Sequence, residues 1–208
     1  MDASCIRVLS VDDHPLVREG VGAIINGQAD MTLAGTASNG KDAIEAFRAL
    51  NPDVTLMDLH LPDLNGLDVM IAIRSQFPDA RVIVLTTFAG DMHVQRALKA
   101  GARGYLLKSM PARQMVDTIR QVHAGKKCVP PEIAAELAGH LGDEALSPRE
   151  MDVLQEIAAG RRNRDIAARL FIAEETVKVH VKHIIDKLGA SDRTQAVTIA
   201  ARRGIIRL

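Results

Sequence analysis

The chain has 208 residues, 47% of them hydrophobic, and its 26 basic side chains are balanced by 26 acidic ones. This length and composition suit two modest domains; no apolar run approaches a membrane span, and the stretch around Asp2 has no signal-peptide plan, so a cytoplasmic protein without a membrane partner is expected. Cys5 and Cys128 have neither metal-ligand nor CxxC spacing, which argues against a disulfide framework and against redox chemistry.

Over residues 1–124, apolar β-forming runs alternate with helical patterns. Ile6–Val11 leads into Asp12 and Asp13, Val54–Met57 into Asp58, Val82–Leu85 into Thr86, and Tyr105–Leu107 into Lys108. The helical patterns cover Pro15–Gln28, Gly40–Leu50, Gly66–Gln76, Asp91–Ala100 and Pro111–Ala124, with Gly101 and Gly125 as stops. Five βα units of this kind predict an α/β domain: a five-stranded parallel sheet with helices on both faces, in the flavodoxin-like strand order 2-1-3-4-5. Ligands bind outside the carboxyl ends of such strands, so Asp12, Asp13, Asp58, Thr86 and Lys108 share one rim. Three carboxylates there repel one another unless a cation is bound, and hard oxygen donors suit Mg²⁺. With phosphate charge neutralised by the metal, one carboxylate can attack a phosphoryl donor, and Lys108 remains for the anion. The rim points to phosphoryl chemistry.

The zero net charge hides an asymmetry. Residues 1–124 carry 12 Lys and Arg against 14 Asp and Glu, residues 125–145 carry 2 against 4, and residues 146–208 carry 12 against 8. The βα pattern breaks at Gly125–Lys127, and Pro130-Pro131 opens a short helical tether reaching about Leu141, which places a linker at 125–145. Ser147-Pro148-Arg149-Glu150 then has the sequence of a capping box with Pro at the first helical position. Helical segments follow at Pro148–Ala159, Arg164–Leu170 opened by Asn163, Glu174–Leu188 and Asp192–Arg203, an all-α four-helix domain over 146–208 whose basic surplus suits a polyanion. At 100° per residue, Val177, Val181, Ile184, Ile185 and Leu188 form a core stripe on Glu174–Leu188. The other side carries Glu175, Val179, Lys182 and Asp186, with Lys178 at its edge. Joined to Arg164–Leu170 by the short turn Phe171–Ala173, this segment fits a helix-turn-helix in which lysines meet guanine edges or phosphates and Val179 a thymine methyl.

The Asp12-Asp13 pair, the stretch Asp58-Leu-His-Leu-Pro-Asp-Leu-Asn-Gly66, Thr86, Tyr105 and Lys108 together resemble a response-regulator receiver domain, over residues 5–124. The resemblance implies that a sensor histidine kinase phosphorylates Asp58. It implies that Asp13, Asp58 and the backbone carbonyl of His60 ligate Mg²⁺, with Asp12 acting largely through water. Lys108 would pair with the phosphoryl oxygens, Thr86 would move to bond one of them, and Tyr105 would then turn inward. Ser109 and Met110 stand between Lys108 and Pro111, where many receivers have Pro directly after the Lys. His60 and Phe88, two residues beyond Asp58 and Thr86, are placed to shape water access to the acyl phosphate.

The C-terminal stretches Leu146-Ser-Pro-Arg-Glu150, Asn163-Arg-Asp-Ile-Ala167, Thr176-Val-Lys-Val-His-Val-Lys182 and Asp192-Arg-Thr-Gln-Ala196 resemble the LuxR-type helix-turn-helix, and with the receiver they resemble the NarL/FixJ architecture. The family implies that Lys178, Val179 and Lys182 face bases, that Thr176 meets phosphate, and that the last helix dimerises through Ala196, Val197, Ile199 and Ala200. Ala173 replaces the hydroxyl cap common before the recognition helix. Glu175 has two readings: a first-turn acid that offsets the lost cap through the helix dipole, which is preferred, or an acceptor from a cytosine amino group. The expected function is a two-component transcriptional regulator and not an enzyme, in which phosphorylation of Asp58 controls homodimerisation and binding to promoter DNA, with RNA polymerase a candidate partner. The enzymatic rival is a Mg²⁺-dependent aspartyl phosphatase. It requires a nucleophile and an acid/base partner two residues apart after the first strand, which Asp12-Asp13 does not supply. A phosphate sink or protein-interaction module is disfavoured by the groove-facing lysines.

Overall fold

The computed structural model describes residues 5–87, 90–140 and 144–206; Phe88 lies outside them. Five strands, β1 (Ile6–Val11), β2 (Met31–Ala37), β3 (Val54–Met57), β4 (Val82–Thr86) and β5 (Gly104–Leu107), pair in parallel in the order β2-β1-β3-β4-β5. All residues of β3 and β4 are buried, because a parallel sheet covered on both faces reads as continuous apolar sequence. Side chains alternate between the faces. Ile6, Val8, Val54, Leu56, Ile83, Leu85 and Leu106 pack with Val21 and Ile25 of α1 (Pro15–Asn26) and with Met115, Val116, Ile119 and Val122 of α5 (Ala112–His123). Leu9, Val11, Met57, Val82, Val84 and Tyr105 are buried on the other side of the alternation. There α2 (Gly40–Leu50) contacts β1, β2 and α3 (Gly66–Gln76), and Phe47 and Phe77 bring their ring centroids to 5.1 Å. α4 (Asp91–Lys99) precedes β5. Pro111 caps α5 rather than opening it.

After α5 the chain returns to the sheet, where Cys128 forms an isolated parallel bridge with Gly104. α6 (Pro131–Gly139) is the short helix expected after Pro130-Pro131. By internal contacts the described residues divide into two compact units, one of 5–87 with Val94–Ala134, the other of 90–93 with Ala135 onward.

The C-terminal helices are α7 (Pro148–Ala158), α8 (Asn163–Leu170), α9 (Glu174–Leu188) and α10 (Arg193–Arg202). Their core contains Val153, Leu154 and Ile157 of α7, Ile166 and Ala167 of α8, Val177, Ile184 and Leu188 of α9, and Ala196 and Ala200 of α10. α7 begins in a complete capping box, Ser147 receiving Glu150 N–H while Glu150 receives Ser147 N–H. Asn163, expected as the cap of α8, is instead its first residue: Arg162 is the cap, and the Asn163 Oδ1 accepts from Arg193 at 3.2 Å.

α8 stops at Phe171, whose backbone is left-handed (φ 54°, ψ 47°) and whose residue is 94% exposed. An L side chain in that region crowds the following carbonyl, and this one recovers nothing by burial. Phe171→Asn, which tolerates the conformation, is expected to stabilise the C-terminal unit by about 0.5–1 kcal/mol. A higher urea midpoint with unchanged slope is the result expected; an unchanged midpoint would mean that the backbone bears no strain there.

Candidate functional site

Ladder hydrogen bonds run one residue past the strands and build the rim. Asp12 N donates to Ala37 O (3.1 Å), Asp58 N to Val11 O (2.9 Å) and Lys108 N to Thr86 O (2.8 Å). Asp12 and Asp58 are thereby held side by side and buried, with Asp13 partly exposed beside them. Lys108 Nζ reaches between the two buried acids, 2.7 Å from Asp12 Oδ2 and 2.8 Å from Asp58 Oδ2. Burial opposes the charge on Lys108, but its hydrogen bonds to Asp12 and Asp58 and their negative charge outweigh it, and its pKa is raised. Thr86 is fully buried at the end of β4. Tyr105 is also fully buried, so the inward position expected of it after phosphorylation is already occupied here.

His14 joins the three acids without being marked by the strand ends. His14, the N-cap of α1, donates its backbone N–H to Asp12 Oδ1 at 3.0 Å and sets its Nδ1 2.6 Å from Asp13 Oδ1. Asp12, Asp13, His14 and Asp58 each offer a ligand atom, all within 4.8 Å of one another. Its place next to Asp12-Asp13 in the sequence was the available signal. Carboxylates dominate the set, and such hard oxygen donors fit Mg²⁺.

The segment after Asp58 is folded tightly back on itself. His60 forms an antiparallel bridge with Asn65, whose side chain accepts from Leu67 N at 2.9 Å and so caps α3. Asp63 accepts backbone N–H bonds from Gly40 (2.7 Å), Lys41 (3.1 Å) and Leu64 (2.8 Å), and these donors, Gly40 first, hold its pKa below the ordinary aspartate range. Gly66 N donates to Leu59 O at 2.9 Å, and a Cβ on Gly66 would stand 1.8 Å from the Asp58 carbonyl oxygen. Only glycine leaves that carbonyl in place. Gly66→Ala should therefore cost roughly 1–3 kcal/mol of stability through overpacking against backbone and slow phosphoryl uptake by displacing Asp58. Wild-type melting together with wild-type labelling would show that the segment yields freely.

In the C-terminal unit, α8, the turn at Phe171–Ala173 and α9 form the expected helix-turn-helix. Val177, Ile184 and Leu188 are buried, and Val181 and Ile185 pack against them partly buried, as the stripe predicts. Thr176, Lys178, Val179 and Lys182 are all exposed, Val179 at 52%. α9 has no side-chain cap at Ala173, and Glu175 directs its carboxylate to Lys178 Nζ at 2.6 Å. Of the residues expected on the dimerising face of the last helix, Ala196 and Ala200, one turn apart, are buried in the core of their own domain, whereas Val197 and Ile199 pack against it only partly buried.

Two families match the chain, one described as response regulator receiver domain over residues 8–120, the other as bacterial regulatory proteins, luxR family, over residues 144–200. The transcriptional regulatory protein YxjL of Bacillus subtilis is 41% identical, the match covering 99% of this chain and all of YxjL. The response regulator protein VraR of Staphylococcus aureus is 37% identical over 97% of this chain and 99% of its own. The crystal structure of the response regulator ChrA, from a heme-sensing two-component system, matches with a TM-score of 0.59 and 36% identity, covering 98% of this chain and 100% of ChrA. No helix among the described residues is long and apolar enough to cross a membrane. The chain belongs to the two-component response regulators of NarL/FixJ architecture, in which a receiver domain is followed by a LuxR-type helix-turn-helix DNA-binding domain.

Proposed function

We propose that phosphorylation of Asp58 by a sensor histidine kinase controls homodimerisation and sequence-specific promoter binding by this regulator, in the cytoplasm. The domains are 1–124 for the receiver, 125–145 for the linker and 146–208 for the DNA-binding domain. The observation that carries this reading is the buried Asp58 carboxylate set beside Asp12 with Lys108 Nζ within 2.8 Å of both.

Asp12, Asp13 and Asp58, with the backbone carbonyl of His60, would hold Mg²⁺. Bound there, the ion supplies charge neutralisation at the phosphoryl oxygens. An Asp58 carboxylate oxygen forms the new P–O bond as the P–N bond of the kinase's phosphohistidine breaks, and the leaving imidazole takes up a proton from water. Lys108, already charged and fixed between the acids, turns to the phosphoryl oxygens. The buried Thr86 hydroxyl bonds one of them, and Tyr105, on the adjacent strand, carries the change along β5. Treatment of the full chain with acetyl phosphate and Mg²⁺ should give an acyl phosphate on Asp58 that hydroxylamine releases; labelling elsewhere would reassign the nucleophile.

On DNA, Lys178, Val179 and Lys182 face bases and Thr176 meets phosphate. Lys182→Ala is expected to cost roughly 1–3 kcal/mol on the preferred site and relax one base pair if the contact is a guanine edge. If it is a phosphate, all sequences weaken alike and the salt slope falls by about one. Val179→Ala acts mainly on sites with a facing thymine. Unchanged affinity and preference in both folded variants would remove α9 from the groove.

A further inference from the structure

Glu175 opens the exposed stripe of α9. Glu175, Lys178, Val179 and Lys182 follow at i, i+3, i+4 and i+7, and therefore share a face. That stripe is roughly 10 Å long, about three base-pair steps. In a helix-turn-helix the N-terminal residues of the second helix meet base edges, and Glu175 is the second residue of α9. Its carboxylate is 81% exposed and lies 2.6 Å from the Lys178 ammonium, itself 52% exposed. The pair therefore stands at the base-reading end of the helix.

An ionised carboxylate only accepts. In the major groove, guanine offers O6 and N7 and thymine offers O4, all acceptors; the N6 donor of adenine stands beside its N7 acceptor, whereas cytosine offers the N4 amino donor without one. Burying Glu175 against guanine or thymine would leave acceptors facing each other without a proton between them, which selects against those bases as firmly as cytosine is selected for. Lys178 lowers the cost of bringing this negative charge among phosphates and holds it in place.

From this juxtaposition we propose that Glu175 is a specificity-determining residue, accepting from the amino group of a cytosine at the base pair adjoining the one met by Lys178. The inference rests on the placement of α9 in the major groove.

Selection from a random duplex pool, run on the full chain with acetyl phosphate and Mg²⁺, tests it with wild type, E175Q, E175A and, as a control, K182A. Wild type should favour cytosine over guanine at one position by roughly tenfold or more. E175Q should shift that position toward adenine, since Gln both donates and accepts; E175A should accept any base there, and the rest of the motif should stay as in wild type. K182A should alter a different position or, if Lys182 meets a phosphate, weaken all sequences alike. A change in melting temperature in E175Q or E175A with the wild-type motif retained would assign Glu175 to the helix dipole and overturn the inference, and an identical motif at unchanged melting would overturn it equally. In either case an altered motif or uniformly weakened binding in K182A leaves the groove reading standing. A wild type that enriches no motif overturns both.

Discussion

Asp58→Asn is expected to abolish labelling by acetyl phosphate and with it any effect of the phosphodonor on DNA binding. The substitution keeps the size of the side chain and its place at the end of β3, where the backbone N–H of residue 58 bonds Val11 O. It removes the anionic oxygen that attacks phosphorus and the charge that pairs with Lys108 Nζ at 2.8 Å. Asp12 and Lys108 remain a pair at 2.7 Å, so the rim stays folded and the loss is chemical rather than structural. Asp13 is partly exposed, whereas Asp12 shares with Asp58 both the strand-end burial and Lys108, so the variant also decides between these two carboxylates. Labelling retained in a folded Asp58→Asn variant would show the nucleophile to be elsewhere.

Glu150→Ala should destabilise the C-terminal domain by about 2–4 kcal/mol. Glu150 is 4% exposed, and its Oε2 accepts from Ser147 N at 2.7 Å and from Lys187 Nζ at 3.0 Å. Alanine leaves the Ser147 N–H without its partner and Lys187, only 17% exposed, with the surface acid Glu144 and the Ala145 carbonyl. Burial opposes ionisation of Glu150, but the Ser147 N–H and Lys187 outweigh it, and its pKa is lowered. A carboxylate whose folded pKa is depressed stabilises fully above its unfolded pKa and loses that contribution as pH falls through the folded value. Wild type should therefore lose stability on acidification below the ordinary glutamate range, with a smaller loss in Glu150→Ala. Glu144→Ala, at an exposed pair, should stay within about 0.5 kcal/mol of wild type. Equal melting of wild type and Glu150→Ala would mean that the capping box contributes nothing net.

How far the sequence is legible depends on where each element sits. β1, β3, β4 and β5 are visible because their central residues are buried on both sides and their ends carry chemistry. β2 is not delimited by an apolar run: it lies at the sheet edge, only Met31 and Ala37 are buried, and its pairing with β1 slips between Val8 and Leu9. The acid rim was legible because a parallel sheet with short apolar strands determines which residues lie at its carboxyl end. His14 was not, since it joins the cluster through its N-cap geometry, and Gly66 was legible as the end of the Asp58 motif but not as the neighbour of a carbonyl eight residues away. The small residues of α10 misled for a general reason. Ala196 and Ala200 carry the same one-turn spacing whether they line a core or an interface, and only the packing of α7, α8 and α9 around them decides. Asn163 likewise has the chemistry of a cap, and its contact with Arg193 comes from the far end of the domain.

The coupling of the acid rim to DNA binding is tested most directly by titrating full-length chain against its selected operator at fixed salt, with and without acetyl phosphate and Mg²⁺, alongside Asp58→Asn. Phosphorylated wild type should bind roughly tenfold or more tightly, a shift of at least about 1.4 kcal/mol, and should sediment as a dimer, whereas Asp58→Asn should bind alike in both conditions. Equal operator affinity for fully phosphorylated and unphosphorylated wild type would contradict control of DNA binding through Asp58.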